Sequence, residues 1–173
     1  TGYLHLGSYF GAMRNYVRMQ EEYECFFMVA DLHSLTTHPD TKELKQNVHR
    51  VLAENIACGL DPDKAAFYCQ SHLYETSELY LYLNMMAYMG ELEKTTTFKE
   101  KARSQPQNVN VGLLTYPTLM AADILLHRAT YVPVGKDQQQ HLEMARTFAN
   151  RFNHRYGNVF PEPLAYNFGD DLV

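Results

Sequence analysis

The stretch from Tyr131 to Asn153, YVPVGKDQQQHLEMARTFANRFN, restricts the fold more than any other part of the chain. Tyr131, Val132 and Val134 are strand formers. Gly135 lets the backbone turn tightly. Asp137, with Gln140 three residues later, has the spacing of a capping box and predicts a helix start at that point. Leu142, Ala145, Ala149 and Phe152 then recur on one helical face. In an open α/β sheet, ligands settle beyond the carboxyl ends of the strands, at junctions of this kind. The helix start offers N–H groups and a positive dipole end to an anion or a polar ligand. These residues by themselves fit a binding junction or an ordinary strand–helix unit equally well.

The rest of the chain alternates in the same sense. Ser8 stands where it can cap an amphipathic run with Tyr9, Met13, Tyr16, Val17 and Gln20. Cys25 to Asp31, CFFMVAD, is continuously apolar up to its final Asp and predicts a buried parallel strand. A helix is predicted from Asp40, with Glu43 at capping-box spacing and Leu44, Val48, Val51 and Leu52 on one face. Gly59 ends it. Ala65 to Cys69 reads as a second buried strand, and Glu75 to Tyr88 as a helix whose Tyr and Met stripe suits a core or a subunit interface. Gly90 to Lys101 reads as a solvated helix with Glu and Lys pairs. Arg103 to Val111 reads as a loop, and no strong element is visible from Asn158 onward. The order implies an α/β fold, a doubly wound parallel sheet.

Composition narrows the class. The chain has 173 residues and 46% apolar residues, enough for one domain with a proper core. A net charge of -5 without a sustained basic run argues against a whole-surface nucleic-acid binder, though not against a local basic patch. Cys25, Cys58 and Cys69 show no metal-ligand spacing and are odd in number, so the thiols are expected to be reduced and the protein intracellular. No apolar run reaches transmembrane length. The chain begins without Met and ends without a terminating signal, and both ends read as cuts within a longer protein.

Gly112 to His127, GLLTYPTLMAADILLH, holds the clearest chemical signal. Pro117 suits a first helical turn, and Leu119 to Leu126 is almost wholly apolar around Asp123. An ionised carboxylate there costs several kcal/mol unless something donates to it. The donor is either a group of the protein or a substrate.

Four segments in order resemble the tryptophanyl-tRNA synthetases, class I aminoacyl-tRNA synthetases. They are His5-Leu6-Gly7-Ser8, similar to the HIGH signature with Ser8 in place of its last His; Gly90 to Lys101, similar to GELER…FKEK; Tyr116 to Leu125, similar to YPxLMAADIL; and Val132 to Asn153, similar to GxDQxxH…E…R. Tyrosyl-tRNA synthetases have a similar last segment, but usually with Asn at the position of His141. The resemblance implies a Rossmann-like catalytic domain over residues 1–173, with the lysine-rich KMSKS-type loop and the anticodon-binding domain lying beyond the chain and little activity for the piece alone. It implies activation of Trp by ATP to tryptophanyl-adenylate and pyrophosphate, with Mg²⁺ bridging the phosphates, then transfer to tRNA(Trp). A cytoplasmic homodimer without membrane attachment follows from the same likeness.

The resemblance also implies residue roles. His5 and Lys101 act on the phosphates, and Gly7, Ser8, Gly135, Lys136 and Asp137 complete the ATP site. Asp123 accepts the indole N–H. Tyr116 and Gln138 hold the α-amino and carboxylate groups. Met120, Val132 and Val134 form walls, and His33 lies near the pocket, although a loop histidine without that role fits its residues equally. No resident metal ligands are implied. A tyrosyl-tRNA synthetase, a nucleotidyltransferase with an HxGH-like motif, and a piece that only binds ligand or dimerises are the competing readings.

Overall fold

Strand and helix alternate as the periodicity predicts, in a computed structural model that describes Gly7, residues 9–135 and residues 138–166. His5, Ser8, Lys136 and Asp137 lie outside the described residues, and so does the expected cap at Ser8. Two compact units divide the chain. Among the described residues, one takes those up to Leu35 together with Pro39–Leu73; the other takes Thr36–His38 together with those from Tyr74 to Tyr166.

In the first unit a π-helical turn, Tyr9–Met13, runs into helix α1, Arg14–Met19. Strand β1, Phe26–Val29, pairs in parallel with β2, Ala66–Cys69, Phe26 opposite Ala66 and Val29 opposite Cys69. Helix α2, Leu44–Ala57, is the crossover between them, as a parallel pair requires. Asp40 caps its approach by accepting from Lys42 N at 3.0 Å, but the first turn is a 3₁₀ turn, Thr41–Glu43. Gly59, at φ +110°, closes the helix in a conformation that L side chains avoid. The side chain of Gln20 spans this turn, donating to Gly59 O and accepting from Asp61 N, both at 2.9 Å.

Both strands are less buried than their apolar runs predict: Phe26 is 45% exposed, and burial rises toward Val29 and Cys69. Each strand has one strand neighbour among the described residues. Val48, Val51 and Leu52 of α2 pack against Val29 and Cys69, at the carboxyl ends.

The second unit comprises α3, Tyr74–Asn84; α4, Thr96–Ser104; α5, Tyr116–Leu126; β3, Tyr131–Pro133; α6, Gln139–Tyr156; and β4, Leu164–Tyr166. β3 and β4 are parallel, Tyr131 opposite Leu164, with α6 as crossover. α5 packs against both α3 and α6, which accounts for a sequence apolar nearly all round. The core joins Leu79 and Leu83 of α3, Ala121, Ala122 and Leu125 of α5, and Leu142, Ala145, Phe148 and Ala149 of α6. The alanines let the helices approach closely, and the larger side chains fill the space between them.

Three elements differ from expectation. The helix begun at Tyr74 stops at Asn84, and a turn leads to a short helical segment, Met89–Leu92. The loop after α4 contains a 3₁₀ turn, Pro106–Asn108, and a helical turn, Val111–Leu114, capped by Asn110 Oδ1, which accepts from Leu113 N at 3.1 Å. β4 has no signal in the sequence, because three residues after two prolines carry no periodicity. Side chains of α6 place it: Asn153 donates to Phe160 O at 2.7 Å and accepts from Val159 N and Phe160 N, while Arg146 donates to Pro163 O at 2.6 Å. The chain is thus delivered to the edge of β3.

Candidate active site

Helix α5 and its C-cap present Tyr116, Met120, Asp123 and His127 at spacings of four, three and four residues, one face of a 3.6-residue helix. Asp123 is only 9% exposed, among neighbours on either side that belong to the apolar core. The pitch of the helix therefore puts one carboxylate in line with a phenol and a thioether. Val132 and Val134, at and just beyond β3, are half-buried and pack on the same core as Met120.

The start of α5 is held in place. Thr115 Oγ1 donates to Val111 O at 2.8 Å. A hydroxyl has one proton, so Thr115 Oγ1 accepts from Tyr80 Oη, 2.6 Å away on α3. This chain fixes the residue from which Tyr116 follows.

The start of α6 completes the group. Gln138 N donates to Gly135 O at 3.0 Å, closing the turn after β3. Gln138 Oε1 and His141 Nδ1 are 2.9 Å apart, one helical turn along. An amide oxygen only accepts, so Nδ1 carries the proton. His141 is 1% exposed, and its ring centroid lies 5.5 Å from that of Tyr116. His141 thus joins the start of α6 to the start of α5. Its part as the residue that orients Gln138 was not assigned from the sequence, although the i, i+3 spacing of the two was there to be read.

His33 belongs to the first unit, in a helical turn, Asp31–Ser34, directly after β1. It is buried, and its backbone N–H donates to Gln70 Oε1 at 3.2 Å. Asp31 accepts from Ser71 N at 3.0 Å and from Ser71 Oγ, tying the carboxyl ends of β1 and β2 together. Gly7 is exposed and helical, Gly135 is exposed in the turn after β3, and Lys101 is exposed on α4. Burial pushes the thiols of Cys25 and Cys69 above their ordinary values, so both stay protonated near neutrality.

His127 reports on the face. Burial pushes its imidazole below the ordinary value, and the Asp123 carboxylate pulls it partly back up. A histidine depressed by folding adds no cost above its unfolded value of about 6.5. Below that value the unfolded chain binds a proton that the folded chain does not, and stability falls with pH. His127→Gln is expected to flatten the stability curve on the acid side of about 6.5. Asp123→Asn is expected to move the His127 titration further down, read by NMR; an upward or absent shift breaks the link between the two groups.

The parallel strand–helix–strand units, and the carboxylate set in an apolar helix beside a strand–turn–helix junction, define a class. The family model for tRNA synthetases class I (W and Y) matches residues 1–167, and the chain belongs to that family. Among its relatives, the Tryptophan–tRNA ligase of Porphyromonas gingivalis is 64% identical over 170 residues, which cover 98% of this chain and 52% of the relative. The Tryptophan–tRNA ligase of Caldanaerobacter subterraneus subsp. tengcongensis is 50% identical over 100% of this chain and 53% of its own length. The crystal structure of Campylobacter jejuni tryptophanyl-tRNA synthetase complexed with ADP and tryptophan superposes with a TM-score of 0.93 at 40% identity, over 100% of this chain and 54% of that one. The fold is therefore the Rossmann-like α/β fold of these catalytic domains. The chain spans about half the length of the curated relatives it matches.

Proposed function

We propose that this chain is the ATP- and amino-acid-binding part of a tryptophan–tRNA ligase. The observation that carries the reading is Asp123, a carboxylate buried in an apolar helix on the same face as Tyr116 and Met120. The names of the two relatives support it. In this reading Asp123 accepts the indole N–H, Tyr116 and Gln138 hold the α-amino and carboxylate groups, and Met120, Val132 and Val134 wall the ring. His33 lies near the pocket by resemblance.

The tryptophan carboxylate attacks the α-phosphorus of ATP and pyrophosphate leaves. No protein nucleophile is needed, so the residues act by positioning and by stabilising charge. Lys101 and His5 donate to the phosphates, and Gly7, Ser8, Gly135, Lys136 and Asp137 serve ATP by resemblance. Mg²⁺ enters with the nucleotide as part of the substrate. By resemblance Lys101 is the residue of α4 that meets the triphosphate, and an ammonium suits phosphate oxygens rather than a metal. Transfer to tRNA(Trp) in the cytoplasm completes the reaction.

The protein is further proposed to pair with a second copy through the exposed apolar side chains Leu81, Tyr82, Met85, Tyr88 and Met89 in and after α3. Met85 is 75% exposed and the other four are more than half exposed, and so many large apolar side chains left open within nine residues suit an interface. No helix among the described residues is long and apolar enough to cross a membrane.

The test is ATP–pyrophosphate exchange by the full-length protein with Trp or Tyr. Trp is expected to support exchange at a kcat/KM about 100-fold above that for Tyr, because the phenol O–H of Tyr can donate to the same acceptor but its smaller ring leaves part of a slot shaped for indole unfilled. Preference for Tyr would move the assignment to the sister specificity.

A further inference from the structure

Helix α4 buries none of its residues. Phe98 and Ala102, one turn apart, are only half-buried, so Lys101 stands on an element that apolar contact anchors weakly. Thr95, at its N-cap, makes no side-chain cap to the helix; its hydroxyl donates backward to Leu92 O at 2.9 Å, and the first turn has no acidic residue. The group that meets the first N–H of the helix comes from α6. Gln140 Oε1 accepts from Thr96 N at 3.0 Å. A second tether enters upstream, where Arg151 donates to Glu91 at 2.7 Å and to Met86 O, with its guanidinium 4.4 Å from the centre of the Tyr88 ring. Both tethers leave α6, which the core holds through Leu142, Ala145, Phe148 and Ala149. The same helix starts beside Gln138.

We infer that Gln140 is a positioning residue for ATP: it holds the start of α4 so that Lys101 meets the triphosphate in register with the amino acid held at Gln138. The inference rests on the proposed role of Lys101, and the experiment separates the two. Pyrophosphate exchange by the full-length protein gives the KM for ATP and for Trp in Gln140→Ala, Thr96→Pro, the double variant and Lys101→Ala. Proline removes the N–H that Gln140 accepts from, at a first helical position where that N–H has no helical partner. Thr95, at φ −63° and ψ 136°, already has the extended backbone required before proline.

Gln140→Ala and Thr96→Pro are each expected to raise the ATP KM about threefold, the scale of one lost hydrogen bond. Trp KM should not move, and the double variant should be no worse than either single one. Lys101→Ala is expected to raise the ATP KM by more than either. If Lys101→Ala raises the ATP KM and Gln140→Ala does not, the inference fails while the role of Lys101 stands. If Lys101→Ala leaves the ATP KM unchanged, both fail. Multiplying effects in the double variant, or an equal rise in Trp KM, also overturn it, because they place Gln140 in a different interaction.

Discussion

Asp123→Asn is expected to weaken tryptophan binding by about thirtyfold. The substitution keeps volume and one oxygen acceptor, so the packing of α5 is preserved. What goes is the charge on the acceptor. A hydrogen bond to a charged group contributes about 2 kcal/mol more than the solvent bond it replaces, and each 1.4 kcal/mol is about a factor of ten in affinity. Asp123→Ala goes further, because it leaves the indole N–H with no acceptor inside an apolar slot. Isothermal titration with Trp reads both. A tryptophan analogue with sulfur in place of the indole N–H is the control: it should bind the native protein poorly and be indifferent to Asp123→Asn. Equal affinities of native and Asn forms for Trp would remove Asp123 from the pocket.

Phe148→Ala is expected to cost about 4 kcal/mol of unfolding free energy. Phe148 is 0% exposed in the core between α5 and α6. Removing the ring forfeits its transfer free energy and leaves a cavity, and the surrounding alanines have no side-chain reach with which to fill it. Against a typical total of roughly 5–15 kcal/mol the loss is large. Phe148→Leu should cost about 1.5 kcal/mol or less, because it keeps most of the volume. Urea denaturation followed by circular dichroism distinguishes them; a loss below about 1 kcal/mol for the Ala form would mean that the helices close over the gap. α6 also carries Gln140 and Arg151 and begins directly after Gln138, so the activity of Phe148→Ala should fall at temperatures where its fold is still largely populated.

The sequence was most informative where the signal was local. The strand, glycine turn and helix at Tyr131 to Tyr156 follow from strand formers, one glycine and a helical repeat, and the structure has β3 and α6 there. Asp40 caps because its side chain reaches an N–H two residues on. Asp123 was legible because a carboxylate inside a run such as LMAADILL conflicts with its surroundings, and such a conflict points to a site. The register of the motifs along the chain carried the family.

Other features depend on residues far apart in the chain. β4 exists because Arg146 and Asn153 hold the loop before it, and its own three residues carry no pattern. The strands β1 and β2 are exposed at one end because burial depends on which elements cover them, which an apolar run does not record. His141 gained a role only when the fold placed its ring beside Tyr116, and Gln140 only when α4 began against it, 44 residues away in sequence. By itself, then, the sequence determined the α/β alternation, the apolar helix with its single carboxylate, and the family. The tertiary structure decided which side chains face one another, because helix propensity and hydrophobic period act over a few residues, whereas hydrogen bonds between helices depend on how whole elements pack.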